Sequence, residues 1–201
     1  MRPEIQFEPE KHEYRIGGLI IPNVTTILGN VGLGPDFSKV RPDELEFAAQ
    51  RGRAVHAATA LYDLDDLDEE SMDERILPYL EGWRKFRAEK GFTPTEIERI
   101  VYSSKWGYVG TLDRVGEMKG YTTLIDIKTG PVYMESVGPQ TSAYDVAYRE
   151  EFKQPLLKRF AVRLPGDGTY KLVPCTSKVD FDVFIHALSI MNWRNKTHVR
   201  G

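Results

Sequence analysis

The stretch GTLDRVGEMKGYTTLIDIKTG, residues 110–130, decides how the rest of the chain is read. Its residues favour β-strand, yet it holds Asp113 and the run Asp126-Ile127-Lys128. Taken alone, the run suits an edge strand with its charges in water. Two strand-like runs, Gly107–Met118 and Tyr121–Lys128, are separated only by Lys119-Gly120, and a third, Glu96–Ser103, precedes them. Such short connections predict an antiparallel meander. Side chains alternate faces along a strand, so Asp126 and Lys128 share one side while Ile125 and Ile127 point to the other, toward the core. Two residues apart, the charged pair leaves the backbone about 7 Å apart. If the two strands pair, Asp113 approaches Asp126. Converging carboxylates repel unless a cation sits between them, and hard oxygen donors favour Mg²⁺ or Mn²⁺.

Outward from this stretch, "HEYRIGGLIIPNVTTIL" reads as a β-hairpin turning at Gly17-Gly18, with a short helix or turn at its end. Pro42 suits the first turn of a helix through "DELEFAAQRGRAVHAATALY", with Gly52 the odd residue inside it. Ser71 and Glu74 form a possible capping box for a second helix. Ile76, Leu80, Trp83 and Phe86 or Arg87 mark its apolar face, Pro78 lies in its first turns, and Gly91 ends it. After Lys128 the expected elements are a helix near Pro139–Glu150, the strands "KRFAVRL" and "TYKLVP", and a helix near Asp180–Lys196. The order predicts an α/β or α+β protein with a sheet flanked by helices. Trp83, Trp106 and Trp193 are expected in the core, with base stacking an alternative for Trp106.

The 201 residues are 41% hydrophobic and 28% charged, which suits a globular domain with a real core. One domain over 1–201 is expected, with an N-terminal hairpin (about 5–28) and a helical lobe (about 41–90) packed on it. A lone cysteine, Cys175, excludes an internal disulfide, an iron–sulfur cluster and a cysteine zinc site. No apolar signal core opens the chain, and no apolar run reaches the roughly 18–20 residues of a membrane span. A cytoplasmic location without membrane contact is expected. The formal net charge of −3 argues against general nucleic-acid coating, but its distribution is uneven. Asp63–Glu74 is an acidic block, expected to be a solvated loop, whereas Lys158–Gly201 carries eight basic residues against three Asp.

Asp113 followed by Asp126-x-Lys128 resembles the core signature of the PD-(D/E)XK nuclease superfamily. "RGRAVH" supplies Gly52 and His56, similar to the G-x-x-x-H motif of the RecB-like and Cas4-like branch. "QTSAY" supplies Gln140 and Tyr144, similar to that branch's Q-x-x-x-Y motif. The flanking "GTLD" and "DIKTG" match as well, and the N-terminal segment resembles the start of small phage-type members. Leu112 stands where many members have proline, the second acid is Asp rather than Glu, and the branch's iron–sulfur cysteines are absent.

The resemblance implies a restriction-endonuclease-like core with a central mixed sheet. It implies one or two Mg²⁺ or Mn²⁺ ions held by His56, Asp113, Asp126 and the Ile127 carbonyl, with Glu98 as a further candidate ligand. Lys128 would orient the attacking water and offset phosphate charge. Gln140 and Tyr144, four residues apart on one helical face, would touch DNA phosphate or the lysine. Arg51 and Arg53 are further candidates for phosphate contact. No G-x-x-x-x-G-K-[ST] loop is present, so no nucleotide cofactor is expected, and unwinding would fall to another protein. The implied activity is a metal-dependent exonuclease in DNA recombination, repair or phage DNA processing, in the host cytoplasm if phage-encoded. DNA is the expected partner, with a helicase, recombinase or single-strand-binding protein beside it. The alternatives are a flap-type endonuclease on the same fold, an inactive DNA- or partner-binding module, and an unrelated α/β interaction domain.

Overall fold

The structure is a computed structural model describing residues 3–155 and 157–198. Arg200, counted above in the basic C-terminal stretch, lies outside the described residues. Strands β1 (Gln6–Glu8), β2 (Glu13–Ile16) and β3 (Leu19–Ile21) form a small antiparallel sheet. Gly17 and Gly18, with φ of +56° and +82°, make the expected turn between β2 and β3; β1 was not expected. Helices α1 (Val24–Asn30), α2 (Pro42–Asp63) and α3 (Leu77–Lys90) follow. Pro42 opens α2 with Asp43 and Glu44 behind it, and the helix runs through Gly52 unbroken. The Ser71–Glu74 capping box does not form: Ser71 Oγ donates to the Asp68 carbonyl, and α3 starts later, at Leu77, without a side-chain cap. Gly91 ends α3 with φ of +62°, a conformation glycine adopts without strain.

The main sheet has the order β4 (Phe92–Ser103), β5 (Tyr108–Met118), β6 (Tyr121–Lys128), β7 (Lys158–Arg163), β8 (Lys171–Pro174). All neighbours are antiparallel except β6 and β7, which are parallel. A parallel pair needs a crossover, and α4 (Met134–Phe152) supplies it. This helix starts five residues before the expected Pro139, because Val137 buries itself in the sheet and anchors the first turns. Helix α5 (Asp180–His198) closes the chain. The result is a mixed sheet flanked by helices, as a restriction-endonuclease-like fold requires.

Ile125 and Ile127 pack with Val55 of α2 and Trp83 and Phe86 of α3. Leu124 packs on the other side with Ala143, Tyr144 and Ala147 of α4. Both faces of β6 are therefore covered, and Asp126 is buried rather than turned to water. Trp83 is in the core and Trp106 packs at its edge against Phe181. Trp193 is 65% exposed, contrary to expectation. The buried stripe of α5 is Phe184, Ala187, Leu188 and Met191, and Trp193 falls off that 3.6-residue spacing. Among the described residues, no helix is long and apolar enough to cross a membrane.

Candidate active site

The meander brings three carboxylates abreast. The β4–β5 register passes from Ile97↔Arg114 to Arg99↔Leu112, which sets Glu98 opposite Asp113. The β5–β6 register ends at Arg114↔Ile125, which sets Asp113 beside Asp126. At that point the ladder gives way to side chains. Asp113 Oδ2 accepts the N–H of Ile127 at 2.5 Å, so the carboxylate is wedged between the strands. Glu98 has φ of +46°, an unusual conformation for a residue with a Cβ, within the otherwise continuous edge strand β4.

Helix α2 delivers His56 over this row. Its Nε2 lies 3.1 Å from the Ile127 carbonyl, and its Nδ1 lies 3.5 Å from Asp113 Oδ1 and 3.6 Å from Glu98 Oε1. Burial alone would lower the imidazole pKa, but Asp113 and Glu98 outweigh it and raise it to about 9. One donor atom each of His56, Glu98 and Asp113 lies within 4.8 Å of the others, enough convergence to hold a cation. Asp126 stands just outside this trio. Its Oδ2 is 2.8 Å from the Lys128 ammonium, yet neither oxygen has a hydrogen bond of good geometry. A fully buried carboxylate without hydrogen bonds is costly, and burial raises its pKa. Hard carboxylate and carbonyl oxygens, one imidazole and an undersatisfied buried acid fit a divalent cation.

Lys128 is one alternation beyond Asp126 on the same face. Burial would lower its pKa, but Asp126 and Asp113 keep it charged. Its Nζ donates to Gln140 Oε1 at 3.4 Å, and Gln140 Nε2 donates to the Tyr144 hydroxyl at 3.2 Å. The two α4 residues thus form a line running back from the lysine. Gly110 makes room for it: a Cβ there would lie 2.5 Å from Tyr144 Cε1. Arg51 stacks near the Tyr79 ring at 5.9 Å, and Arg53 pairs with Glu46 at 3.1 Å. Arg53 lines the cleft above the metal-type cluster and Arg51 lines a neighbouring hollow.

Several residues escaped the sequence reading. Asp63 was placed in a solvated acidic block, but its side chain is fully buried. It accepts from Arg114 Nε at 2.6 Å, Arg87 Nη1 at 2.7 Å and Trp83 Nε1 at 3.0 Å. Arg114, also fully buried, extends this network to Glu98 Oε1 at 2.9 Å and so steadies the acid row from behind. No local pattern announces such a pair, since its partners lie 51 residues apart. The N-terminal sheet is also part of the site. Tyr14 bonds Thr111 at 2.8 Å, two residues before Asp113, and Val109 N–H donates to the Pro22 carbonyl.

Glu98, Asp113, His56, Lys128, Gln140 and Tyr144 line one cleft of about 700 Å³, with the N-terminal sheet and α2 as walls. A second hollow of about 710 Å³ meets it at Thr25, His56, Lys128 and Gln140. No curated protein matches the chain. Residues 69–187, more than half of the chain, match the family model of the PD-(D/E)XK nuclease superfamily and include the acid row, Lys128, Gln140 and Tyr144. With this match on a mixed sheet flanked by helices, the chain belongs to the PD-(D/E)XK nuclease superfamily.

Proposed function

We propose that the protein is a metal-dependent deoxyribonuclease of the RecB-like branch, acting as an exonuclease in DNA recombination, repair or phage DNA processing. The observation that carries this reading is the convergence of His56, Asp113 and Glu98 beside the undersatisfied Asp126, with Lys128 on the same strand face. His56 and Gly52 lie outside the matched segment; the placement of His56 beside Asp113, with Gly52 lining the same cleft, supports the RecB-like assignment.

His56, Asp113, Asp126 and the Ile127 carbonyl would hold one or two Mg²⁺ or Mn²⁺ ions, with Glu98 completing the set. A divalent cation there supplies Lewis-acid stabilisation of the scissile phosphate and a more acidic water. The chain's own groups do the rest. Lys128, held charged by Asp126, orients the attacking water and offsets charge on the phosphoryl oxygens. Gln140 keeps the lysine from folding wholly onto Asp126, and Tyr144 fixes Gln140. Arg51 and Arg53 contact the strand backbone. Phosphate contacts carry no sequence information, so cleavage is weakly sequence-dependent. Unwinding, where needed, falls to a partner helicase.

The test is a cleavage assay with Mg²⁺ or Mn²⁺ on end-labelled single strands, linear duplex and flaps, with closed circles as control and Lys128→Ala alongside. Degradation from an end, intact circles and an inactive variant are expected. Cut circles or clean flap removal would replace the exonuclease reading by the endonuclease one. No cutting of any substrate by folded, metal-loaded protein would refute the enzyme reading.

A further inference from the structure

The two cavities are lined by more aromatic surface than the chemistry at Lys128 requires. At the mouth of the first, Phe7 of β1 stacks on Tyr14 of β2, ring centroids 4.6 Å apart at 28°. The His12 ring stands nearly perpendicular to both, at 5.6 Å between centroids. Tyr14 is 1% exposed and anchored to Thr111, so it is backing; Phe7 is 38% exposed and shows its remaining surface at the cleft it lines. His12 is held there by a turn with φ of +51°, and its carbonyl accepts from Asn23 Nδ2. The rings are therefore fixed before anything binds, which lowers the ordering cost of binding. On the far side of Lys128, the second hollow is lined by Phe37 and Tyr133, 45% and 39% exposed.

We infer that the joined cavities form a channel for a single nucleic-acid strand, with one unpaired base stacking on the face of Phe7 turned away from Tyr14, beside the perpendicular His12 ring, and another seated in the Phe37–Tyr133 hollow. The identity of the occupant rests on the nuclease reading: a strand whose phosphate lies at Lys128 must run into both cavities, because both share that lysine. What flanks a phosphate in such a strand is base and sugar. An unpaired, unstacked base offers its π-faces to a ring; inside a duplex those faces are buried in the stack, and only the end pair leaves one of them free. Rings on both sides of the phosphate position therefore select unpaired nucleotides and disfavour blunt duplex.

The experiment is anisotropy with labelled 12-nucleotide DNA and RNA strands and a blunt DNA duplex. Ca²⁺ replaces Mg²⁺, and strand integrity is checked on gels. Phe7→Ala should weaken single-strand binding roughly 5- to 150-fold, the loss of one base–aromatic stack. Tyr133→Ala, at an exposed ring outside the main core, should do the same and serves if Phe7→Ala fails to fold. Phe7→Trp should retain binding to within about 3-fold. Duplex affinity should change less than about 2-fold, and the strand type that the parent protein binds more tightly identifies the sugar. Unchanged single-strand binding in both alanine variants, or equal losses on duplex, would overturn the channel. Cutting that survives with such unchanged binding leaves the nuclease standing without it. Ring-dependent strand binding without any metal-dependent cutting leaves the channel standing without the nuclease.

Discussion

Gly110→Ala is the most direct probe of how the lysine line is positioned. The added Cβ would lie 2.5 Å from Tyr144 Cε1 and 3.2 Å from Val24 Cγ2. Carbon atoms rest about 3.5–4.0 Å apart, so the Tyr144 ring must withdraw by about 1 Å. It has little room to do so, being 4% exposed and packed among Ala143, Ala147 and Leu188. Its hydroxyl accepts from Gln140 at 3.2 Å, a contact that a shift of this size breaks. Overpacking of this kind costs about 1–3 kcal/mol. For a chain of this length that lowers the Tm by about 2–12 °C. Gln140 then loses its brace and Lys128 its partner, and a misplacement of about 1 Å can reduce turnover about 100-fold. The assay is thermal unfolding together with Mn²⁺-dependent cleavage, repeated in a Tyr144→Leu background. With the ring gone, the cost of Gly110→Ala should shrink to under about 0.5 kcal/mol, a coupling that independent sites do not show. A Gly110→Ala protein with parental Tm and parental cleavage would refute the reasoning, because it would mean that ring and backbone are not in contact there.

Two further outcomes follow from the buried charges. Arg114→Met removes one of the two cations on buried Asp63 and leaves Arg87; breaking a buried pair costs about 3–5 kcal/mol, and the surviving partner sets the low end, about 3 kcal/mol in urea unfolding. A loss under about 1 kcal/mol would mean that Arg87 alone satisfies the carboxylate. The second concerns pH. In the metal-free protein His56 titrates at about 9, above its usual 6.5, so its ion pairs with Asp113 and Glu98 stabilise the fold below pH 6.5 and that contribution is lost as pH rises through about 9. A metal ligand must be the neutral imidazole, so the proton competes with Mn²⁺ below pH 9. Calorimetric Mn²⁺ affinity should rise by up to about tenfold per pH unit between pH 6.5 and 8.5 and flatten in His56→Gln. A flat profile in the parent protein would place the ion away from His56.

Local rules determined much of this protein. Period-two alternation in "LIDIK" put Asp126 and Lys128 on one face because side-chain direction in a strand depends only on the adjacent dihedrals. The same holds for Gln140 and Tyr144, four residues apart on α4, and for the turn at Gly17-Gly18, where positive φ is a property of the residue itself. The spacing of Asp113 from Asp126 followed from a short hairpin, so that pair was legible before any long-range contact was known, whereas Glu98 was suggested only by the family resemblance.

Tertiary structure decided the rest. Asp63 ends a helix in an acidic run, and nothing local distinguishes it from Asp65 or Asp66; only the closing of α2 and α3 over β5 buries it against Arg114. The Ser71–Glu74 box had the right residues, but the helix it would cap begins later, at Leu77. Trp193 has a core residue's chemistry and a solvent-facing position, because the stripe on α5 is set by what α4 and α1 present to it. Phe7 and His12 reach the cleft only because Tyr14 and Pro22 join the N-terminal sheet to β5, across about ninety residues of chain. Contacts at such separation must overcome loop-closure entropy, and which of them form is settled by the packing of the whole chain rather than by the residues beside them.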